Sequence, residues 1–274
     1  MTPVVYDYDS ASPVHPMYHE LMELVRYRDL VRQLVVRNIR VRYKRSILGV
    51  AWSMLGPLLT MAALSLVFTR AFRPLTPNYP IYLFPGLLIW GFFAQATSSM
   101  AAEVIGGVEL WKRVYTPRTA FAAATLCTSL VHLAFAMVPL MLLMLAFGMP
   151  FGPGLAALPV VVLATALFTL GVGLALSALA GYFADVADLY SVLLATWMYV
   201  TPIIYPASIL PADYRWIVRL NPMTYFVEGF RAPIYGNTFP PPAGLAAMCA
   251  LAVSSLLCGW WLFTRSADDL VRRA

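Results

Sequence analysis

The chain has 274 residues, 61% of them hydrophobic and only 12% charged, with a mean hydropathy of +0.73. Soluble domains carry about 25% charged residues, so the composition excludes an ordinary soluble domain and marks an integral membrane protein. The formal net charge of +6 sits at the ends of apolar runs, which makes it a matter of topology; no aromatic-basic module for nucleic acid accompanies it.

Residues 1–47 are polar and mixed and do not read as a cleavable signal peptide, so the first apolar run is expected to stay in the mature protein. From Met17 to Arg45 the chain is free of Gly and Pro and reads as a helix. Leu21, Leu24, Val25, Val31, Val35 and Ile39 share a sector of roughly 120° at 100° per residue, with Arg28 and Arg32 in the same sector. Together with Arg37, Arg40 and Arg42 they describe a basic amphipathic helix in the membrane interface. Packing against a soluble partner domain is the other reading of the same pattern.

Six spans follow: Leu48–Thr69, Ile81–Ala102, Ala120–Phe147, Leu155–Phe183, Leu189–Tyr205 and Ala243–Thr264. Gly/Pro-rich links such as FGMPFGPG (147–154) and NTFPPPAG (237–244) separate some of them. Eight Lys and Arg lie in the N-terminal segment, three between spans two and three and three in the C-terminal tail. Only five, Arg70, Arg73, Arg215, Arg219 and Arg231, fall on the other side. The cation-rich side is cytoplasmic by the positive-inside rule, so both termini point inward. The three cysteines, Cys127, Cys249 and Cys258, lie in apolar runs without metal-ligand spacing.

The missing motifs bear on energy coupling. His132 is the one ionisable residue well inside a span, where a helix–helix hydrogen bond is a commoner role than proton relay; Glu103, Asp185 and Asp188 sit at span ends. The sequence holds no GxxxxGK[ST]: its lysines, Lys44 and Lys112, follow Tyr and Trp. ATP, if it drives this protein, binds another chain. Asp185 and Asp188 are the close acidic pair that a membrane-embedded transferase reading would use, but no HExxH, DxD or GxSxG accompanies them.

Four stretches together, VRNIRVRYKRSILGVAWSMLGPLL (36–59), KRVYTPR (112–118), DVADLYSVLLATWMYVTPIIYP (185–206) and NPMTYFVEGFR (221–231), resemble the ABC-2 type transport permeases, most closely the polysaccharide, O-antigen and teichoic acid exporters. The resemblance covers roughly residues 20–273. It implies an all-α integral membrane fold of six transmembrane helices, with the N-terminal interfacial helix and re-entrant helices between spans five and six. The chain divides accordingly into a cytoplasmic segment 1–47, a transmembrane domain 48–264 and a tail 265–274, with a coupling loop 103–119 and an external gate segment 206–242.

The resemblance further implies a permease subunit in the bacterial inner membrane that is not itself an enzyme. It works as a homodimer with two ATPase subunits, which hold the ATP and Mg; no cofactor belongs to this chain. The substrate is a lipid-linked polysaccharide, the alternative being a drug, lipid or other small hydrophobic molecule. In the coupling segment Leu110, Trp111 and Tyr115 would anchor in the ATPase, with Glu109, Lys112 and Arg113 setting register. A loop whose cations only obey topology is the plainer reading. In the external segment Asp213, Arg215, Arg219, Glu228 and Arg231 should face water or each other, whether as re-entrant gate helices or as a lid in the outer headgroups.

Sugar rings stack on aromatic faces, so a glycan path calls for lumen-facing aromatics. Tyr82, Trp90 and Phe93 on span two, Tyr190, Trp197 and Tyr205 on span five, and Trp52 on span one are the candidates. Interfacial belts account equally for the outer ones, and helix packing for the deeper ones. Gly173, Ser177 and Gly181 on span four allow close helix approach, within one chain or between two.

Overall fold

The structure, a computed structural model, describes residues 26–44, 49, 51–72, 76–111, 118–183 and 185–273, with the side chains of 104–111, 118 and 267–273 excepted. Its regular structure is helical throughout. In chain order the α-helices are α1 (Arg28–Tyr43), α2 (Ala51–Phe72), α3 (Tyr79–Trp111), α4 (Arg118–Ala146), α5 (Leu158–Tyr182), α6 (Val186–Val200), α7 (Arg215–Leu220), α8 (Pro222–Tyr235) and α9 (Pro242–Arg273). Short 3-10 turns lie at Pro153–Ala157, Ala207–Ile209 and Ala212–Tyr214.

Five of these helices, α2, α3, α4, α5 and α9, are long and apolar enough to cross a membrane. The span expected at Leu189–Tyr205 is instead the 15-residue α6, about 22 Å long at 1.5 Å per residue, short of ~30 Å of hydrocarbon. Helix and traverse part company here. Thr201 takes extended dihedrals (φ −82°, ψ 133°), as a residue before proline prefers, and Pro202 has no N–H to continue the ladder. Thr201 N–H makes the last helical bond, to the Trp197 carbonyl, and residues 202–206 carry on in the same direction without helical bonds. Tyr190 lies against Thr97, Trp197 against Trp90 and Phe93, and residues 204 and 205 against Tyr79 and Tyr82. Segment 186–205 therefore runs antiparallel along α3 from Thr97 to Tyr79.

α3 is the hub. Of its most apolar stretch 78% is buried within the chain, against 11% for α2; α2 packs one face on α3 and α4 through Leu58, Leu64, Phe68 and Phe72 and leaves the other to lipid or to another chain. α5 packs on both α3 and α9. Phe93 stacks on Phe168, and a Cβ on Gly173 would run into Met100, so α3 and α5 run the same way. At the α5–α9 crossing a Cβ on Gly259 would fall inside the Gly171 carbonyl, and one on Gly171 would strike the Ser255 carbonyl. Here glycine is required for backbone-to-backbone approach. Gly173 and Ser177 are buried within the chain, whereas Gly181 is exposed.

α1 lies across α4. Leu30, Val31, Leu34 and Val35 face the bundle, while Arg28, Arg32, Arg37 and Arg40 are exposed. The helix expected to begin at Met17 is described from Arg28; Leu21, Leu24 and Val25 lie outside the described residues.

Candidate functional site

Breaking α6 inside the bundle strands a row of carbonyl groups, and in a membrane each must find a donor. The accounting from Tyr199 to Pro206 closes. The Tyr205 hydroxyl donates to the Tyr199 and Val200 carbonyls (3.1 and 3.3 Å). The Ile203 N–H bonds the Thr201 carbonyl at 2.7 Å. Arg231 donates to the carbonyls of Pro202 (Nη1, 3.2 Å) and Ile203 (Nη2, 3.1 Å). The Tyr79 and Tyr82 hydroxyls donate to those of Ile204 (2.6 Å) and Tyr205 (3.2 Å). The Ile209 N–H closes on Pro206 at 3.1 Å.

Arg231, only 2% exposed, ties three elements together. From α8 it also donates through Nε to the Tyr82 carbonyl and through Nη1 to the Tyr82 hydroxyl, each at 3.0 Å. Its guanidinium lies 3.8 Å from the Tyr82 ring centroid, a cation–π contact. Glu228, one turn earlier, supplies the countercharge at 2.7 Å and is itself 48% exposed. Gly86 makes room: a Cβ there would come within 2.8 Å of Arg231 Nη2.

A second junction sits at Asn221, buried between α7 and α8. Its Oδ1 accepts from Met223 N (3.0 Å), capping α8, and from Trp197 Nε1 (2.8 Å), while its Nδ2 donates to Thr201 Oγ1 (2.9 Å). The remaining charges expected in the external segment, Asp213, Arg215 and Arg219, are exposed; Arg215 donates to the Leu210 carbonyl at 3.3 Å.

The aromatic candidates fall into two settings. Trp90, Phe93 and Trp197 pack on one another with centroids 5.5–5.9 Å apart. Phe93 continues onto Phe168 and, through it, onto Phe226. Tyr190 is buried, its hydroxyl 2.7 Å from Thr97 Oγ1, and Tyr82 and Tyr205 belong to the Arg231 assembly. Trp52, at the start of α2, is 57% exposed.

At the opposite end of the bundle a polar seam joins α1, α3 and α4. Gln95, Ser99 and Glu103 recur every four residues on α3; Thr125, Ser129 and His132 follow a helical period on α4. Glu103 accepts from Asn38 Nδ2 on α1 (3.1 Å) and from the Thr125 hydroxyl. The Arg42 Nη1 lies 3.5 Å from His132 Nδ1, and the Gln95 amide, with its oxygen turned toward α1, accepts from both Nη groups of Arg42. Arg37 turns to Asn38 Oδ1 at 3.3 Å. His132 also meets the Tyr43 ring edge-on, centroids 5.8 Å apart.

The expected coupling segment is only partly described. α3 continues as helix through Glu109, Leu110 and Trp111; Lys112, Arg113 and Tyr115 lie outside the described residues.

Sequence reading had passed over Tyr79, Asn221 and the α1–α3–α4 seam. Asn221-Pro222 was a readable signal, since Asn at the N-cap followed by Pro at the first helical position announces a helix start. The four-residue polar period on α3 was equally visible.

Residues 29–235 match the model of a family described as ABC-2 type transporter. The chain is 30% identical over 259 residues to the O-antigen export system permease protein RfbA of Myxococcus xanthus, covering 92% of this chain and 98% of that one. It is 27% identical over 206 residues to a protein of the same name from Klebsiella pneumoniae, covering 74% and 79%. With the Polysialic acid transport protein KpsM of Escherichia coli it shares 23% identity over 251 residues, covering 88% and 95%. The family match spans most of the chain and the helical architecture agrees with a membrane permease: the chain belongs to the ABC-2 type transporter family.

Proposed function

We propose that this chain is the permease subunit of an ATP-binding-cassette exporter that carries a lipid-linked polysaccharide, such as an O-antigen, across the bacterial inner membrane. It acts as a homodimer, both termini cytoplasmic, with two copies of a separate ATPase. The observation that carries the reading is the near full-length similarity to relatives named for O-antigen export and polysialic acid transport. The sequence has no phosphate-binding GxxxxGK[ST] of its own, which leaves ATP and Mg to the partner.

The geometry supports a division of labour. α3 is unbroken for 33 residues, about 50 Å. A push at Glu109, Leu110 and Trp111, extended by Lys112, Arg113 and Tyr115, acts on a rod whose far end bears Tyr82 and its Arg231 clamp. That clamp, with Glu228, closes the outer end of the bundle; Asp213, Arg215 and Arg219 border it. Trp52 is open to a passing glycan in a single chain, whereas Trp90, Phe93 and Trp197 become accessible once α6 moves off α3. The exposed cations of α1, Arg28, Arg32 and Arg40, suit anionic headgroups or the ATPase.

Co-expression with the cognate ATPase tests this. A 2:2 complex that hydrolyses ATP should form and restore surface glycan to a strain lacking the permease. Trp111→Ala or Lys112→Glu should cut export at least tenfold while the complex still assembles. Failure to recruit any ATPase, or glycan export that persists without this chain, would overturn the reading.

A further inference from the structure

The polar seam under α1 borders an open cavity that the export reading does not use. An outer compartment of about 470 Å³ is lined by Arg37, Arg42, Ser129 and His132, among others. A deeper one of about 280 Å³ shares Arg42, Ser129 and His132 and reaches Gln95 and Trp52. The outer compartment alone falls within the ~300–1,000 Å³ typical of small-molecule sites.

The chemistry of the lining fixes the sign of an occupant. Arginine only donates, so His132 Nδ1, facing Arg42 Nη1 at 3.5 Å, is the acceptor. The proton therefore sits on Nε2. That N–H is buried in a side chain 6% exposed and has no hydrogen-bond partner. An orphaned buried donor costs about 1–3 kcal/mol unless an acceptor reaches it. Arg37 and Arg42 meet neutral acceptors, with no carboxylate partner among the described residues. Glu103, the lining carboxylate, already accepts from Asn38 and Thr125. Two guanidinium groups and the His132 side chain line one space, with an unpartnered imidazole N–H at its edge: the site asks for an anion rich in acceptors.

We infer that this cavity binds the phosphate ester headgroup of an inner-leaflet lipid, with Arg42 and Arg37 pairing its oxygens and His132 Nε2–H donating from the edge. Phosphate matches the planar fork of arginine better than a point cation would. The acyl chains have an exit beside Trp52 and α2, whose surface is largely uncovered. Two sources share this chemistry: a resident anionic phospholipid, and the pyrophosphate of a polyisoprenyl-linked glycan. The second rests on the export reading above; the phosphate site itself does not.

Native mass spectrometry of the full chain, purified in an uncharged detergent, tests the inference with three probes: phosphatidylglycerol, diacylglycerol as its phosphate-free counterpart, and a polyisoprenyl pyrophosphate. One saturable phosphatidylglycerol adduct per chain is expected, at least tenfold tighter than diacylglycerol. Arg42→Gln should weaken it tenfold or more and His132→Phe about threefold, while Arg70→Gln, at the far end of α2, leaves it unchanged. If Arg42→Gln fails to fold, as read by thermal unfolding, the exposed Arg37→Gln carries the same expectation at about threefold. A polyisoprenyl pyrophosphate that displaces phosphatidylglycerol assigns the site to the transported substrate; one that does not assigns it to a resident phospholipid. Equal binding of phosphatidylglycerol and diacylglycerol, or no effect of Arg42→Gln or Arg37→Gln, overturns the site and leaves the export reading to its own test.

Discussion

Arg231 shows how one side chain carries the break in α6. A guanidinium 2% exposed is tolerable only when its N–H groups are satisfied and its charge is met; here the stranded carbonyls of Pro202 and Ile203, the Tyr82 oxygens and Glu228 do both. The dependence is mutual, because those carbonyls have no helical partner. Arg231→Met should therefore remove roughly 2–5 kcal/mol of stability, the cost of several buried acceptors left unpaired. Arg231→Lys, a single ammonium without the planar fork, should recover only part of it. Thermal unfolding in detergent reads the ranking. Equal melting temperatures for all three proteins would show that the clamp holds nothing.

Among the elements, the long apolar runs were legible and the partners of the break were not. α3 was expected at Ile81–Ala102 and α4 at Ala120–Phe147, close to the spans found within Tyr79–Trp111 and Arg118–Ala146. Hydropathy alone carried span five on to Tyr205, because Ile203 and Ile204 keep the run apolar; Pro202 was a readable break, but the donors waiting on α3 and α8 register only in three dimensions. The close approach of α5 and α9 was hidden for a similar reason. The four-residue spacing pointed to Gly173 and Ser177, but the tightest contact is between Gly171 and Gly259, one residue on each of two distant helices. The neighbour decides what a methyl costs at each site. A Cβ at Gly259 meets backbone, which cannot yield unless the helices part, whereas at Gly173 it meets the flexible end of Met100. Gly259→Ala should cost about 2 kcal/mol or more and Gly173→Ala about half that, within the overpacking range. Gly91→Ala, with nothing within 4 Å of its Cβ, should be close to neutral. Detergent melting curves of the three variants test the order, and a neutral Gly259→Ala would refute the crossing.

At the scale of the whole molecule, the open question is whether the short α6 completes a crossing. We propose that segment 186–205 does, on three pieces of geometry. α3 and α5 run parallel, as Phe93–Phe168 and the Gly173–Met100 approach require, and α5 and α9 do likewise, since the Ser255 hydroxyl donates to the Phe168 carbonyl while Gly259 meets the Gly171 carbonyl. α9 must then start at the same end as Tyr79, and Gly154 lying against residues 237 and 238 places it there. The chain leaves α5 at the other end, so it has to return across the full bundle before Pro242, and 186–205 is the segment lying antiparallel along α3. On that proposal the chain makes six traverses, five by the long helices and one by the broken segment. With the native cysteines replaced, a cysteine at Arg70 or Asp213 should react with a membrane-impermeant maleimide in intact spheroplasts. One at Asp185 should react only after lysis. Reaction of the Asp213 position only after lysis would mean that α6 turns back within the membrane, and the α7–α8 segment, Arg231 with it, would belong to the cytoplasmic side.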